Sequence, residues 1–177
     1  PAHKLSTGKN IIIAVIDDGL DTGHPEFRMK GKLVHPRDVT ENSDDPRPLT
    51  PYDNHGTSCA GVAAASGVEA SGVAPAAKLM PVRLSSNLGS MAEANAFIWA
   101  ADHGADIISC SWGPEDGNWS DPGDPVHFAQ VGLPDSTRLA IDYAIKSGRG
   151  GKGCIITFAA GNGNEDCRYD GYAGYEK

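Results

Sequence analysis

Three polar residues in this sequence each stand where an apolar or small-residue run meets glycine. Asp17 lies in IAVIDDG, His55 in DNHGTSCAG and Asn162 in ITFAAGNGN. Their types suit acyl transfer if they meet. A carboxylate can hold one imidazole N–H, fix the tautomer and stabilise the imidazolium. The imidazole can take a proton from a nucleophile. A carboxamide can donate a hydrogen bond to a developing oxyanion. Each residue alone has an ordinary explanation: an acidic turn, a histidine at a helix start, an Asn-Gly turn. The combination is much more specific.

A sheet would have to bring them together. Four short aliphatic runs, residues 11–16, 78–84, 106–110 and 154–160, mostly lack polar alternation. Strands buried on both faces of a parallel sheet look like this. Helical patterns fall between them. Residues 56–66 are small and apolar, with Cys59, Ala60, Ala63 and Ala64 at helical spacing and Asn54 or Asp53 as cap. Residues 90–104 carry Met91, Ala94, Ile98 and Ala101 on one face, with Ser90 and Glu93 spaced as a capping box. Residues 134–148 carry Leu139, Ala140, Tyr143 and Ala144, with Asp135 or Ser136 as cap and Gly148 as stop. Strands alternating with helices predict an α/β domain with a mostly parallel sheet, at whose carboxyl edge Asp17 after the first strand, His55 opening a small-residue helix and Asn162 after a later strand could meet. Two polar stretches, 37–51 and 114–133, read as surface loops.

Composition narrows the function classes. The 177 residues carry 15 Lys+Arg against 23 Asp+Glu, a net charge of −8. That balance argues against a nucleic-acid binder, which needs a basic footprint, and suits a basic partner or substrate. No run of 18 apolar residues exists, so no membrane span is expected. Residues 1–10 lack the basic-then-apolar pattern of a secretory signal. Cys59, Cys110, Cys154 and Cys167 have no zinc spacing. Cys59 and Cys110 read as small core residues, and Cys167, in a polar loop, as a candidate for a disulfide.

With those residues in view, the chain resembles the subtilisin-like serine peptidases, which share the order Asp, His, oxyanion Asn. Asp17 matches the catalytic Asp, His55 the catalytic His of HGTSCAG, and Asn162 the oxyanion Asn. SGVAPAAKLMPVRL, residues 71–84, resembles the Gly-Val-Ala-Pro strand segment. The Asp-Asp-Gly at 17–19, SWGPED, GRGGKG, AGNGNED and the later DGY resemble the kexin- and furin-like branch. The resemblance implies a three-layer α/β fold, a mostly parallel sheet with helices on both faces. It places residues 1–177 as the amino-terminal portion of one catalytic domain, incomplete at the carboxyl end.

It also implies roles for the acids. Asp18 and Asp53 match residues that favour a basic side chain next to the cleaved bond. Asp116 and Asp170 match the lining of the primary specificity pocket. Ser111, Trp112 and Gly113 match the segment whose backbone pairs with an extended peptide substrate, with Leu88 and Gly89 opposite. Glu93 stands one position from the place of an outer-subsite Glu, which Ala94 occupies. Cleavage after Arg or Lys is therefore expected. Structural calcium is expected, with Asp116 and Asp166 behind the specificity pocket and Glu26, Asp44 and Asp45 at other sites. An extracellular or periplasmic location is expected rather than a cytoplasmic one.

The nucleophile of such an enzyme lies in a Gly-Thr-Ser motif well after the oxyanion Asn. Here the one Gly-Thr-Ser, residues 56–58, belongs to the His motif, and no serine follows Asn162. The expectation is a peptidase whose Ser comes from a remaining carboxy-terminal segment, this chain alone being inactive. The alternatives are a catalytically dead fold that binds peptide or protein, and an Asp/His enzyme of another class.

Overall fold

A computed structural model describes residues 2–175. Five parallel strands form one sheet: β1 (Ile12–Asp17), β2 (Arg37–Asp38), β3 (Lys78–Arg83), β4 (Ile107–Cys110) and β5 (Ile155–Phe158), in the order β2-β3-β1-β4-β5. The aliphatic runs account for four of them. The fifth, β2, lies inside the stretch expected to be loop. It is two residues long and pairs Arg37 with Val82 and Asp38 with Arg83, too short to leave a pattern in the sequence.

Side chains alternate across the sheet, so β1 feeds two cores. Ile13 and Val15 face one cluster, with Leu79, Ala60 and Ala64. Ala14 and Ile16 face the other, with Met80, Val82, Ile108, Phe97 and Ala144. Helix α1 (His55–Ala64) covers the first face; α2 (Met91–Asp102) and α3 (Asp135–Gly151) cover the second. The architecture is three-layer α/β with helices on both faces.

Several local expectations give way to tertiary context. Met91 is exposed, and α2 buries Glu93, Ala94, Ala96, Phe97, Ala100 and Ala101 instead. Leu139 and Tyr143 are exposed; Thr137, Ala140, Ile141 and Ala144 form the buried face of α3. Pro134, with no side-chain cap bond, precedes α3, and the helical dihedrals stop at Gly148, as the glycine there suggested. At α2, Ser90 Oγ does accept from Glu93 N, while the Glu93 carboxylate turns inward to Gly89 N, Thr137 and Tyr172. Glu93 is fully buried and is not an outer-subsite acid.

Candidate active site

The period of β1 places Asp17 on the same face as Ile13 and Val15, toward α1, at the carboxyl end of the central strand. The chain switches sides of the sheet here, since β3 and β4 flank β1, and ligands of open α/β sheets bind at such switch points. Helix α1 starts with His55 directly over that strand end. It can come this close because it is built from small residues and because position 56 lacks a side chain. A Cβ on Gly56 would collide with the Gly19 carbonyl oxygen and lie 2.8 Å from Asp17 Cβ. Neither Asn54 nor Asp53 caps the helix; the Asn54 side chain makes no cap bond. Asp18 does that work, accepting from His55 N at 3.1 Å and Gly56 N at 2.7 Å. A carboxylate at a helix N-terminus also meets the favourable end of the helix dipole.

Asp17 Oδ1 and His55 Nδ1 are 2.8 Å apart. The carboxylate accepts, so Nδ1 carries the proton and Nε2 is the atom left to take one. The hydrogen bond that Nδ1 donates to Asp17 raises the His55 pKa above the ordinary histidine value. Burial raises the Asp17 pKa, opposed by the His55 hydrogen bond. Asp17 Oδ2 is buried with no hydrogen-bond partner. Cys59, read as a core residue, is half-buried one helical turn from His55, its sulfur 3.7 Å from both ring nitrogens. Burial pushes its thiol pKa up, the wrong direction for a nucleophilic thiolate.

An open cleft runs from this pair. Asp17, Asp18 and His55 line it with Leu84, Ser85, Ser86, Asn87, Leu88, Trp112 and Gly113, and no lysine or arginine does. The two segments expected to pair with substrate, around Leu88 and around Trp112, thus both line this cleft. Leu84, the end of the aliphatic run 78–84, lines it too, as do Ser85, Ser86 and Asn87, whose polar, loop-like sequence carries no pattern. Trp112 is fixed by its indole N–H, which donates to Ile16 O at 2.7 Å, and by edge contacts with Phe158 and Tyr172. Next along, Ser111, Trp112, Gly113, Asp116, Asn162 and Asp170 border a second cavity. Asp116 Oδ2 accepts from Asn162 N at 2.9 Å and Nδ2 at 3.2 Å. Gly161, at φ +83°, leaves room for Asp116: a Cβ there would lie 2.5 Å from its Oδ1.

Four of the expected acids do other jobs. Asp53 lines neither cavity; it closes its own turn, accepting from Leu49 N, Thr50 N and Thr50 Oγ1. Glu26 is not free to hold calcium. Its two oxygens accept from Ser66 Oγ and from the amides of Gly67, Val68, Glu69 and Ala70, which hold its pKa down to about 2. A ring of N–H donors repels a cation. Asp44 pairs with Arg37 and Asp45 with Arg47, so neither offers a free carboxylate. Asp116, Asp166 and Asp170 differ in sharing one cavity, although Asp166, like Asp44 and Asp45, is bonded to an arginine. They help line one small cavity that has no lysine or arginine in its wall, and their hard oxygens suit calcium. Asp166 is presently held by Arg168. Among the described residues, the one group of three His, Cys or carboxylate side chains that already converges is Asp17, His55 and Cys59. Cys167 is exposed, and it and the other three cysteines are free thiols.

Comparisons with known proteins show the family and the fold. A family model described as the subtilase family matches residues 8–176. A calcium-dependent protease of Nostoc sp. is 63% identical over 177 residues, 99% of this chain and 27% of the relative. Furin-like protease 2 of Drosophila melanogaster is 37% identical over 179 residues, 96% of this chain and 10% of the relative. Among solved structures, MycP1 with its N-terminal propeptide removed aligns with a TM-score of 0.65 at 28% identity, covering 94% of this chain and 47% of that one. A cold adapted subtilisin-like serine proteinase aligns at 0.65 and 25% identity, covering 92% and 51%. The chain thus spans about a quarter of the length of the first of these relatives.

Proposed function

The chain belongs to the subtilase family, and we propose that the protein it is part of is a serine endopeptidase working by Asp-His-Ser acyl-enzyme chemistry. The 2.8 Å contact between Asp17 and His55 at the head of an open cleft carries this reading. His55 acts as general base and then general acid through Nε2. Asp17 holds the tautomer through Nδ1 and stabilises the imidazolium. Asn162 donates its amide to the oxyanion. The nucleophilic serine comes from polypeptide outside these 177 residues, and the substrate is an extended peptide lying between the walls at Leu88 and Trp112.

Specificity for Arg or Lys before the cut is part of the proposal. Asp18 in the cleft and Asp116 and Asp170 in the neighbouring cavity are unopposed by any lysine or arginine in those walls, and a desolvated carboxylate favours a cation. Relatives named furin-like and dibasic-processing, at 36–37% identity, fit the same reading. Asp53 is left out of it. Calcium, suggested by the name of the Nostoc relative, would be held by Asp116 and Asp166, where it would stiffen the loops behind the specificity pocket. Such binding suits an extracellular or periplasmic enzyme.

The test is active-site labelling of the whole polypeptide with a fluorophosphonate. Labelling should occur and should vanish in His55→Ala. Labelling that survives that change overturns the mechanism, and tight peptide binding with no labelling supports a binding module instead. A peptide library should be cut after Arg or Lys; cutting after Phe or Leu removes the acidic-pocket reading.

A further inference from the structure

A fully buried carboxylate reaches one loop of the cleft from behind. Glu93 lies in the first turn of α2, packed inside the molecule. Its Oε1 accepts from Thr137 Oγ1 at 2.5 Å, and its Oε2 from Gly89 N at 2.7 Å and Tyr172 OH at 3.4 Å. All three donors are neutral, so no cation among these partners offsets the cost of burying the charge. Capping the helix does not account for the arrangement. In a capping box this carboxylate would return to the N-cap N–H, here that of Ser90. Ser90 N donates to Asn87 O at 3.2 Å instead, and Glu93 takes the amide one residue earlier.

That amide belongs to a tight turn. The bond from Ser90 N to Asn87 O closes it, and Leu88 and Gly89 are its central residues. Gly89 has φ +77°, while Leu88 before it has no positive φ, the pattern of a type II turn. Types I and II differ by a flip of the central peptide, here Leu88–Gly89. That peptide is trans, so its N–H and C=O point opposite ways. With the Gly89 N–H drawn in to Glu93, the Leu88 carbonyl is aimed away from it. Leu88 lines the cleft, and no donor among the described residues takes that carbonyl. The next peptide is pinned too: Gly89 O accepts from Ser136 Oγ at 3.1 Å, and a Cβ at 89 would lie 2.8 Å from Pro134 Cγ.

We propose that Glu93 is a positioning residue for substrate binding: it holds the Leu88–Gly89 peptide in the orientation that presents the Leu88 carbonyl to a backbone N–H of an extended peptide in the cleft. The substrate step rests on the peptidase reading above; the peptide lock does not. Gly89 has no side chain to oppose the flipped turn, so its backbone alone does not choose between the two forms. Glu93 does. In the flipped form the Leu88 carbonyl would turn toward the buried carboxylate, acceptor against acceptor, and the Gly89 amide would lose its partner. The carboxylate bonds one form and repels the other. It also touches the other flank of the cleft through Tyr172, whose ring packs edge-on against Trp112 with centroids 5.9 Å apart.

The experiment measures hydrogen exchange of single amides in the full-length protein, beside KM and kcat for an extended peptide. In the unaltered protein the Gly89 N–H should exchange at least ~10-fold more slowly than the Leu88 N–H, although both lie in one turn. Glu93→Leu removes the acceptor. It should bring Gly89 exchange up to that of Leu88 and raise KM about two- to tenfold, as one lost hydrogen bond does, with kcat little changed. Glu93→Gln keeps an oxygen for Gly89 N, and its NH2 can donate to the Thr137 hydroxyl, which accepts as well as donates. It should restore both readouts. N-methylating the peptide one nitrogen at a time should find one position where methylation raises KM in the unaltered protein and adds nothing in Glu93→Leu. Leu88 and Gly89 amides that exchange alike in the unaltered protein overturn the proposal, whether or not Glu93→Leu folds. So does an unchanged KM in a folded Glu93→Leu, or methylation costs that are the same in both proteins. Slow Gly89 exchange that Glu93→Leu releases, in a protein that neither cuts nor binds peptide, supports the lock and overturns the peptidase reading.

Discussion

Asp17 and His55 sit at the carboxyl end of the central strand and are fixed from inside the molecule, whereas Asn162 and Asp170 follow the edge strand β5 and are fixed by side chains crossing solvent-facing loops. On the first side Asp17 is buried at the end of a strand that has parallel neighbours on both sides. Helix α1 is held by the contact at Gly56 and by Asp18 on its first amides. On the second side Ile155 is 57% exposed on one face of β5. Asn162 depends on Asp116, Gly117 on Glu165, and Tyr172 N and Ala173 N on Asp170. Packing, with the Asp18 carboxylate on the first amides of α1, anchors the proton-transfer half. The oxyanion half rests mainly on carboxylates that bridge loops, which makes it the half that protons and cations loosen or tighten more.

The largest effect should come from the anchored half. Asp17→Asn keeps the shape but offers His55 a donor where it had an acceptor, which forces the wrong tautomer. In the whole enzyme kcat should fall about 10⁴-fold, with the thermal midpoint little changed. A much smaller loss, or a loss explained by unfolding, would break the view that this half is preset by packing.

Asn162→Ala should cost less, about 10²–10³-fold in kcat with KM nearly unchanged, as for one oxyanion donor. The backbone bond from residue 162 to Asp116 survives that change, so the loop should hold. If KM rises instead, Asn162 shapes the pocket rather than the transition state, and the two halves are less separable than they look.

How much of this was written in the sequence follows the same divide. The central strands were legible because burial on both faces removes polar alternation, and Asp17 and His55 because glycines and small residues mark where α1 meets β1. Asp18 as the helix cap was hidden, because its partners lie 37 and 38 residues away. The carboxylates were legible as a class but not as individuals. Glu26, Asp44, Asp45 and Asp53 have the composition of metal or substrate ligands, yet backbone amides or arginines claim them, and such pairings are set by loop geometry that local pattern does not encode.

The smallest effect sharpens the comparison most. Arg168 grips Asp166 with Nε at 2.8 Å and a terminal nitrogen at 2.5 Å, and Arg168 is 86% exposed. Exposed pairs contribute little to stability because solvent screens them and two long side chains must be immobilised. Arg168→Ala should therefore leave the denaturation midpoint in calcium-free buffer unchanged. Its consequence is chemical. Arg168 holds the Asp166 pKa down to about 2, a depressed value whose contribution is present above the ordinary carboxylate range and lost as pH falls through the folded value. Without the guanidinium that carboxylate is anionic, keeps only the backbone amide of residue 168, and stands beside Asp116 and Asp170 in a cavity wall that has no lysine or arginine. Calcium then no longer competes with an internal cation. Its affinity should rise severalfold, read as a larger calcium-dependent rise in melting temperature, and binding should fail at a higher pH than in the unaltered protein. A melting temperature that drops without calcium, or an affinity that falls, would mean that the Asp166–Arg168 pair is itself the fastening of this loop. The edge half would then be held by its own arginine, as Asp44 and Asp45 are, and not by a metal.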